Sequence, residues 1–331
     1  MKKALRKCIA VLLCLAMLTA SFAIAATAED GTAESGLNME EIKDKLENIF
    51  EKFINIMIDV IHRVIVVFRY PWEPKTDKQV DMSKFTLVFE DEFDGDTIDL
   101  GVWSHYRQGT RKGGYWDKNQ ATLQDGCLVI RSEYKEDGKY GAGFYTDRID
   151  TRREYLQQYG YFECRCILPA AEGLWSAFWL SSENIKDGTP GTEGTEIDVF
   201  ESPLYYRGRL GLENNLVTSN LHYGGYELGH RYMNVTVAKA DAPYKQFNTY
   251  GMEWNENGYT FYINGKETGH STFGGVSKVP EYMILSCEID GVDGVPFPGW
   301  SGRTVKPDAE DLPAEFIVDY VRAYQYSDTA A

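Results

Sequence analysis

The chain has 331 residues, 43% of them hydrophobic and 14% aromatic, and a formal net charge of −16. That apolar content supplies a substantial core, while the acidic balance makes nucleic acid and anionic membranes poor partners. Neither the six cysteines nor the five histidines gather at metal-ligand spacing, which argues against a zinc or redox centre.

Met1-Lys2-Lys3-Ala4-Leu5-Arg6-Lys7 is a basic opening, Cys8 to Ala20 is apolar, and Ala23-Ile24-Ala25 or Ala26-Thr27-Ala28 offers a small-residue cleavage site. Residues 1–28 therefore read as a secretory signal peptide, with a retained anchor as the alternative and a secreted, extracellular protein as the consequence. Their removal takes away four basic residues and no acidic ones, moving the charge from −16 to −20. From Asn38 to Phe68, Ile42, Leu46, Ile49, Phe53, Ile56 and Val60 are spaced alternately by four and three, the pattern of an amphipathic helix. Asn55, Asp59, His62 and Arg63 argue against a membrane span, leaving packing on the rest of the chain, self-association or an interfacial contact. Pro71 and Pro74 end the helix, and 69–84 reads as a linker.

From Phe85 the period changes to two, in short segments such as Tyr161–Ile167, Glu196–Phe200, Met283–Ile289 and Phe316–Gln325, with Asn257-Gly258 and Asn264-Gly265 as hairpin turns. The expected fold of 85–326 is an all-β sandwich. Cys164 and Cys166 fall on one strand face with Phe162 and read as small core residues. A disulfide among Cys127, Cys164, Cys166 and Cys287 is left open.

Within this region Gly194-Thr195-Glu196-Ile197-Asp198-Val199-Phe200-Glu201-Ser202 carries three carboxylates in six residues. On a strand Glu196 and Asp198 share one face, and one extra residue at Val199-Phe200, a β-bulge, brings Glu201 back onto it. Crowded carboxylates push at least one pKa upward, so one stays protonated beside an ionised neighbour. That combination suits general acid catalysis with a nucleophile, at a separation of roughly 5 to 5.5 Å. A solvated acidic face or a calcium site is the plainer reading of the same acids.

Four segments in this order, Tyr159-Gly160-Tyr161-Phe162-Glu163-Cys164-Arg165, Gly173-Leu174-Trp175-Ser176-Ala177-Phe178-Trp179-Leu180, Glu196 to Glu201, and Asp319-Tyr320-Val321-Arg322-Ala323-Tyr324, resemble glycoside hydrolase family 16. The resemblance implies a concanavalin-like jelly roll whose concave sheet forms a substrate groove. By position it makes Glu196 the nucleophile, Glu201 the general acid/base and Asp198 the residue that tunes the pair. It implies a retaining endo-β-glucanase acting on internal β-1,3 or mixed β-1,3/1,4 linkages, laminarinase-like in its E-x-D-x-x-E form. Agar- or porphyran-cleaving activity, transglycosylation and a non-catalytic carbohydrate-binding protein are the alternatives. No organic cofactor is implied. A structural calcium is, through Asp319 and the backbone of Gly126.

Trp175 and Trp179 alternate onto one face as sugar platforms, and Glu163 and Arg165 are expected on the groove side to hold the glycone. His222 matches a family histidine near the catalytic centre. Ser286 and Glu288 stand where many members carry Asn, which alters the hydroxyls that can be bound. Tyr115, Trp116 and Trp300, in Gly-rich loops, suit outer subsites, and Trp254 and Tyr262 suit the core. The negative charge favours a neutral polysaccharide over a densely sulfated one.

Overall fold

The period-two alternation that begins at Phe85 resolves into two β-sheets stacked on a shared apolar layer. The structure, a computed structural model, describes residues 76–203, 205 and 215–327. The chain divides into two units, Met1–Ile65 and Val66–Ala331. The expected signal peptide, the amphipathic helix and residues 69–75 of the linker lie outside the described residues.

The larger sheet has 11 strands, and its central run is Lys266–Ser271, Gly258–Ile263, Asn248–Asn255, Gly160–Ile167, Ala314–Tyr326 and Cys127–Lys135. The smaller sheet has six, in the order Arg231–Lys239, Leu216–Tyr223, Glu196–Glu201, Leu174–Ser181, Tyr282–Ile289 and Arg148–Asp150. Both are built from antiparallel neighbours across these runs, as short strands joined by turns require. Gly143–Thr146 lies in the larger sheet and Arg148–Asp150 in the smaller, so the chain changes layer at Asp147.

Alternation decides what each strand buries. Phe162, Cys164 and Cys166 from the larger sheet meet Phe178, Leu180, Ile197, Phe200 and Leu221 from the smaller, all without solvent exposure. The Phe200 ring lies 4.3 Å from that of Tyr250, tying the Glu196–Glu201 strand to the larger sheet. Each buried Phe, Leu or Ile among them contributes about 1.5–3 kcal/mol by leaving water. Trp254 and Tyr262 are buried, as their strand positions imply, and all four described cysteines are buried free thiols.

Local chemistry fixes the turns. Asn264 and Gly265 both have positive φ, 50° and 75°, between paired Ile263 and Lys266, so they form the two-residue hairpin that Asn-Gly favours. The other hairpin sits one residue earlier than its Asn257-Gly258 signal, since Asn255 pairs with Gly258. Residues 76–84 do not leave the domain freely: Val80 donates to the Gly265 carbonyl at 2.8 Å and Gln79 bridges Lys266 on the edge strand. Among the described residues no helix is long and apolar enough to cross a membrane.

Candidate active site

The Glu196–Glu201 strand lies between Leu174–Ser181 and Leu216–Tyr223. Asp198 pairs with Trp179 and Phe200 with Phe178, leaving Val199 as an extra residue. The other neighbour shows the same slip, with Asp198 opposite Asn220 and Glu201 opposite Thr218. The bulge therefore falls where the spacing of the acids places it. Its unpaired carbonyl is satisfied: Ser219 Oγ donates to the Val199 oxygen at 2.8 Å. Ile197, Val199 and Phe200 are buried in the core, whereas Glu196, Asp198 and Glu201 line a groove of about 800 Å³ on the opposite face of the six-stranded sheet.

Burial and mutual repulsion set the electrostatics of the three acids. Burial first, then the Asp198 charge, push Glu196 up to about 7, against the pull of His222, Tyr226 and Arg111. Glu201 is pushed well above the carboxylate range by burial, Asp198 and Glu196, although Asn220 Nδ2 donates to its Oε2 at 2.6 Å. Asn220 is itself held by Asn234, whose Nδ2 donates to Asn220 Oδ1 at 2.7 Å. Glu201 is thus the carboxyl that keeps its proton and Glu196 the one that gives it up sooner.

His222 approaches from the neighbouring strand, its Nε2 3.4 Å from Asp198 Oδ2 and its Nδ1 2.9 Å from His230 Nε2. Burial lowers its pKa, but the Asp198 and Glu196 charges outweigh burial and the net shift is upward. Ligand atoms of Glu196, Asp198 and His222 lie within 4.8 Å of one another. His222 Nε2 faces Asp198 and its Nδ1 faces His230, while the Tyr226 hydroxyl donates to Glu196, so these groups are turned to one another rather than arranged as a metal cage.

Trp175, Trp179, Ser286 and Glu288 all line the same groove. Antiparallel pairing accounts for it, since Ser286 sits opposite Ala177 and Glu288 opposite Trp175. Trp179 Nε1 donates to Ser286 Oγ at 3.0 Å, which fixes the indole plane. Trp175 is wedged edge-on against Trp300, with centroids 5.6 Å apart, and carries Lys112 Nζ 4.5 Å over its ring. Glu288 receives Arg111 Nη2 at 2.7 Å, with Lys112 3.7 Å away. Burial alone would raise its pKa, yet the two cations hold it below the ordinary carboxylate value.

Glu163 and Arg165 are elsewhere. Their strand, Gly160–Ile167, belongs to the larger sheet, and their side chains leave its outer face. Glu163 accepts from Tyr324 Oη at 3.2 Å, and Arg165 pairs with Asp319 and lies 4.4 Å from the Phe247 ring. Alternation correctly puts both residues opposite Cys164 and the core, but cannot tell which sheet the strand joins. Trp116, expected exposed, is buried, its Nε1 donating to the Cys287 carbonyl at 3.0 Å.

Asp319 is brought near Gly126 by the pairing of Val318 with Leu128. With its carboxylate committed to Arg165, one backbone oxygen beside it falls far short of the six to eight oxygens calcium takes, and the neighbouring guanidinium opposes a cation. These two residues as arranged do not fit a calcium ion.

Residues that sequence reasoning missed come from turns and from short strands at the sheet margins. Arg107, Arg111, Lys112, Arg148 and Arg152 bring positive charge to a groove in an acidic protein, and Tyr226 comes from the turn after Leu216–Tyr223. Arg111-Lys112 in a Gly-rich turn was the only signal, and basic pairs in loops are common.

Comparison with known proteins bears on this arrangement. The model of the family described as "Beta-porphyranase A-D, GH16 domain" matches residues 86–326. Glucan endo-1,3-beta-glucosidase A1 of Niallia circulans is 28% identical over 282 residues, covering 74% of this chain and 38% of the relative. The chain spans about half or less of the length of the curated relatives it matches first, 38%, 35% and 53%. Among solved structures, the laminarinase catalytic domain of Thermotoga maritima MSB8 superposes with a TM-score of 0.58 at 23% identity, covering 74% of this chain and 100% of that one. A structure from work on endo-acting O-glycanases of the human gut microbiota superposes with a TM-score of 0.60 at 22% identity, covering 76% and 95%. At these identities the superpositions speak to the jelly-roll fold.

Proposed function

Because the chain belongs to glycoside hydrolase family 16, we propose that it is a secreted endo-β-glucanase that cleaves internal β-1,3 linkages, alone or within mixed β-1,3/1,4-glucans, with retention of configuration. The observation that carries this is the bulged strand, which sets two carboxyls of different proton affinity on one wall of a groove open to a polymer. Glu196 attacks the anomeric carbon while Glu201 protonates the departing glycosidic oxygen. In the second half Glu201 takes a proton from water, the water oxygen bonds to the anomeric carbon, and the ester bond to Glu196 breaks. Asp198, flanked by His222, keeps negative charge between the two, which opposes loss of the Glu201 proton.

Trp175 and Trp179 offer ring faces and edges to the sugar, and Ser286 orients the second indole. Glu288 Oε2 has no hydrogen-bond partner among the described residues and stands as an acceptor for a sugar hydroxyl, its charge neutralised by Arg111 and Lys112. Secretion through residues 1–28 belongs to the same reading.

A second reading is a galactan hydrolase. It draws on the porphyranase description of the matched family model and on the five cations at the groove, Arg107, Arg111, Lys112, Arg148 and Arg152, which equal in number the five carboxyls lining it although the protein as a whole is acidic. Purified enzyme assayed for reducing ends on laminarin, barley mixed-linkage glucan, agarose and porphyran separates the two. Oligosaccharides from the first pair alone support the glucanase, cleavage of the second pair alone supports the galactanase, and silence on all four sinks both.

A further inference from the structure

The turn 224–230, which reads in sequence as an ordinary Gly-rich connection, carries Tyr226 back over the catalytic strand. Its hydroxyl donates to Glu196 Oε2, although its ring is 62% exposed. An exposed side chain that spends its polar end on a buried carboxylate asks for a reason, because water would otherwise satisfy the phenol at no cost in side-chain freedom.

The turn is built to hold that pose. Gly224 and Gly225 have φ of 78° and 76°, where a side chain is strained, and a Cβ on Gly225 would come within 2.6 Å of the Asp187 backbone. Gly229 N donates to Asp187 Oδ1 at 2.6 Å and Gly188 N to the Gly224 carbonyl at 3.1 Å, so the turn is docked on the neighbouring loop from both ends. Behind the phenol, the His230 ring lies 6.0 Å away and passes the contact on to His222.

We infer that Tyr226 is a positioning residue for the nucleophile: its hydroxyl holds Glu196 Oε2, leaves the other carboxylate oxygen for attack, and favours the ionised form of Glu196 before attack and on its release. The inference rests on the family 16 chemistry proposed above for its catalytic meaning, but not for the hydrogen bond. In the first half-reaction the phenol keeps its own proton while the Glu196 oxygen bonds to the anomeric carbon and Glu201 protonates the leaving oxygen. In the second, the same hydroxyl receives the carboxylate released as the ester bond breaks. A donor to the charged form works against burial and against the Asp198 charge, which both favour the protonated acid. The other ionisable groups that bear on Glu196 are Glu201, His222, Arg111 and Glu281.

Tyr226→Phe keeps the ring and removes only the donor. The titration of Glu196 is followed by carbon-13 NMR of side-chain-labelled glutamate, with Glu196→Gln identifying the signal. Loss of one hydrogen bond to a charged group is expected to raise its midpoint on the order of one pH unit. On whichever of laminarin or porphyran the wild type cleaves, kcat is expected to fall about tenfold or more with KM little changed, and the acidic limb of the pH profile to move upward by the same shift. A merely structural tyrosine would lower stability and leave both midpoints in place. An unmoved Glu196 titration in a folded variant overturns the inference whether or not any polysaccharide is cleaved. A moved titration in a protein that cleaves none of the four polysaccharides upholds the hydrogen bond and overturns the glycosidase reading instead.

Discussion

At the scale of single residues the chemistry turns on a difference between two glutamates. Both are pushed upward by burial, but Glu196 to about 7 and Glu201 well beyond it. On the proposed mechanism the productive state has Glu196 ionised and Glu201 protonated. Its population grows as pH rises through about 7 and is lost once Glu201 gives up its proton, so the kcat/KM profile is expected to rise near neutrality and fall on the alkaline side. Glu196→Ala and Glu201→Ala are each expected to reduce turnover by roughly 10²-fold or more, with the thermal midpoint and polymer binding retained. Either variant turning over at the wild-type rate removes the assignment. The bulge and the shared face of the three acids were legible beforehand, in the E-x-D-x-x-E spacing among strand formers. Tyr226 was not legible: a lone tyrosine after two glycines has many fates, and only the docking of its turn on Asp187 aims it at Glu196.

At the scale of elements, the start of the catalytic strand is held by a carboxyl outside the groove. Glu281 is fully buried, and its Oε1 accepts from the Thr195 backbone at 3.1 Å and from Ser277 Oγ at 2.6 Å. Burial pushes its pKa up to about 8. Below its ordinary value near 4.5 folded and unfolded chains both bind the proton, and the stabilisation is fully present. As pH rises from there toward about 8 the unfolded chain releases the proton while the fold retains it, so stability falls across that window. Glu281→Gln keeps a side-chain acceptor without the ionisation. Thermal melts from about pH 5 to pH 8.5 are expected to decline less steeply for this variant, the difference on the order of a few kcal/mol. Parallel slopes would mean that Glu281 carries no proton in the fold. The sequence showed no sign of this clamp, since Glu281 stands beside Pro280 and just before a strand, where a solvated acid is the common outcome. Glu163 and Arg165 illustrate the same limit differently: period two assigns a residue to one side of its own sheet, and which of two stacked sheets is a matter of long-range pairing.

At the scale of the whole molecule, the acidic balance does not extend into the groove, where five cations match five carboxyls. The chain carries −16, yet Arg107, Arg111, Lys112, Arg148 and Arg152 face the groove. Several are partly compensated, Arg111 and Lys112 by Glu288 and Arg148 by Asp150. On a neutral glucan such a field has little to act on, and kcat/KM is expected to change by less than about twofold between roughly 0.05 and 0.5 M NaCl. A sulfated galactan would lose affinity manyfold over the same range. The salt series therefore tests the substrate class independently of product analysis. Total charge, which sequence gives directly, pointed away from sulfated polymers; only the fold reveals that these basic side chains converge where the polymer would lie.

The bulge also makes the catalytic strand a counter of parity. On one neighbour the residues beside Val199 already oppose consecutive partners, Trp179, Phe178 and Ala177; on the other, Asp198 and Glu201 oppose Asn220 and Thr218, with only Ser219 between. Deleting Val199 leaves Glu-Ile-Asp-Phe-Glu, in which acids and apolar residues alternate without interruption and neither flanking register has to move. Such a deletion is expected to yield a folded protein with measurable turnover. Inserting one residue beside Val199 lengthens the Asp198-to-Glu201 step to four, so that Glu201 either gains a second bulged residue before it or moves off its Thr218 and Ala177 partners, away from Glu196, and is expected to abolish activity. A single-codon length change at this point thus separates two workable layouts of the same three acids from one that cannot work.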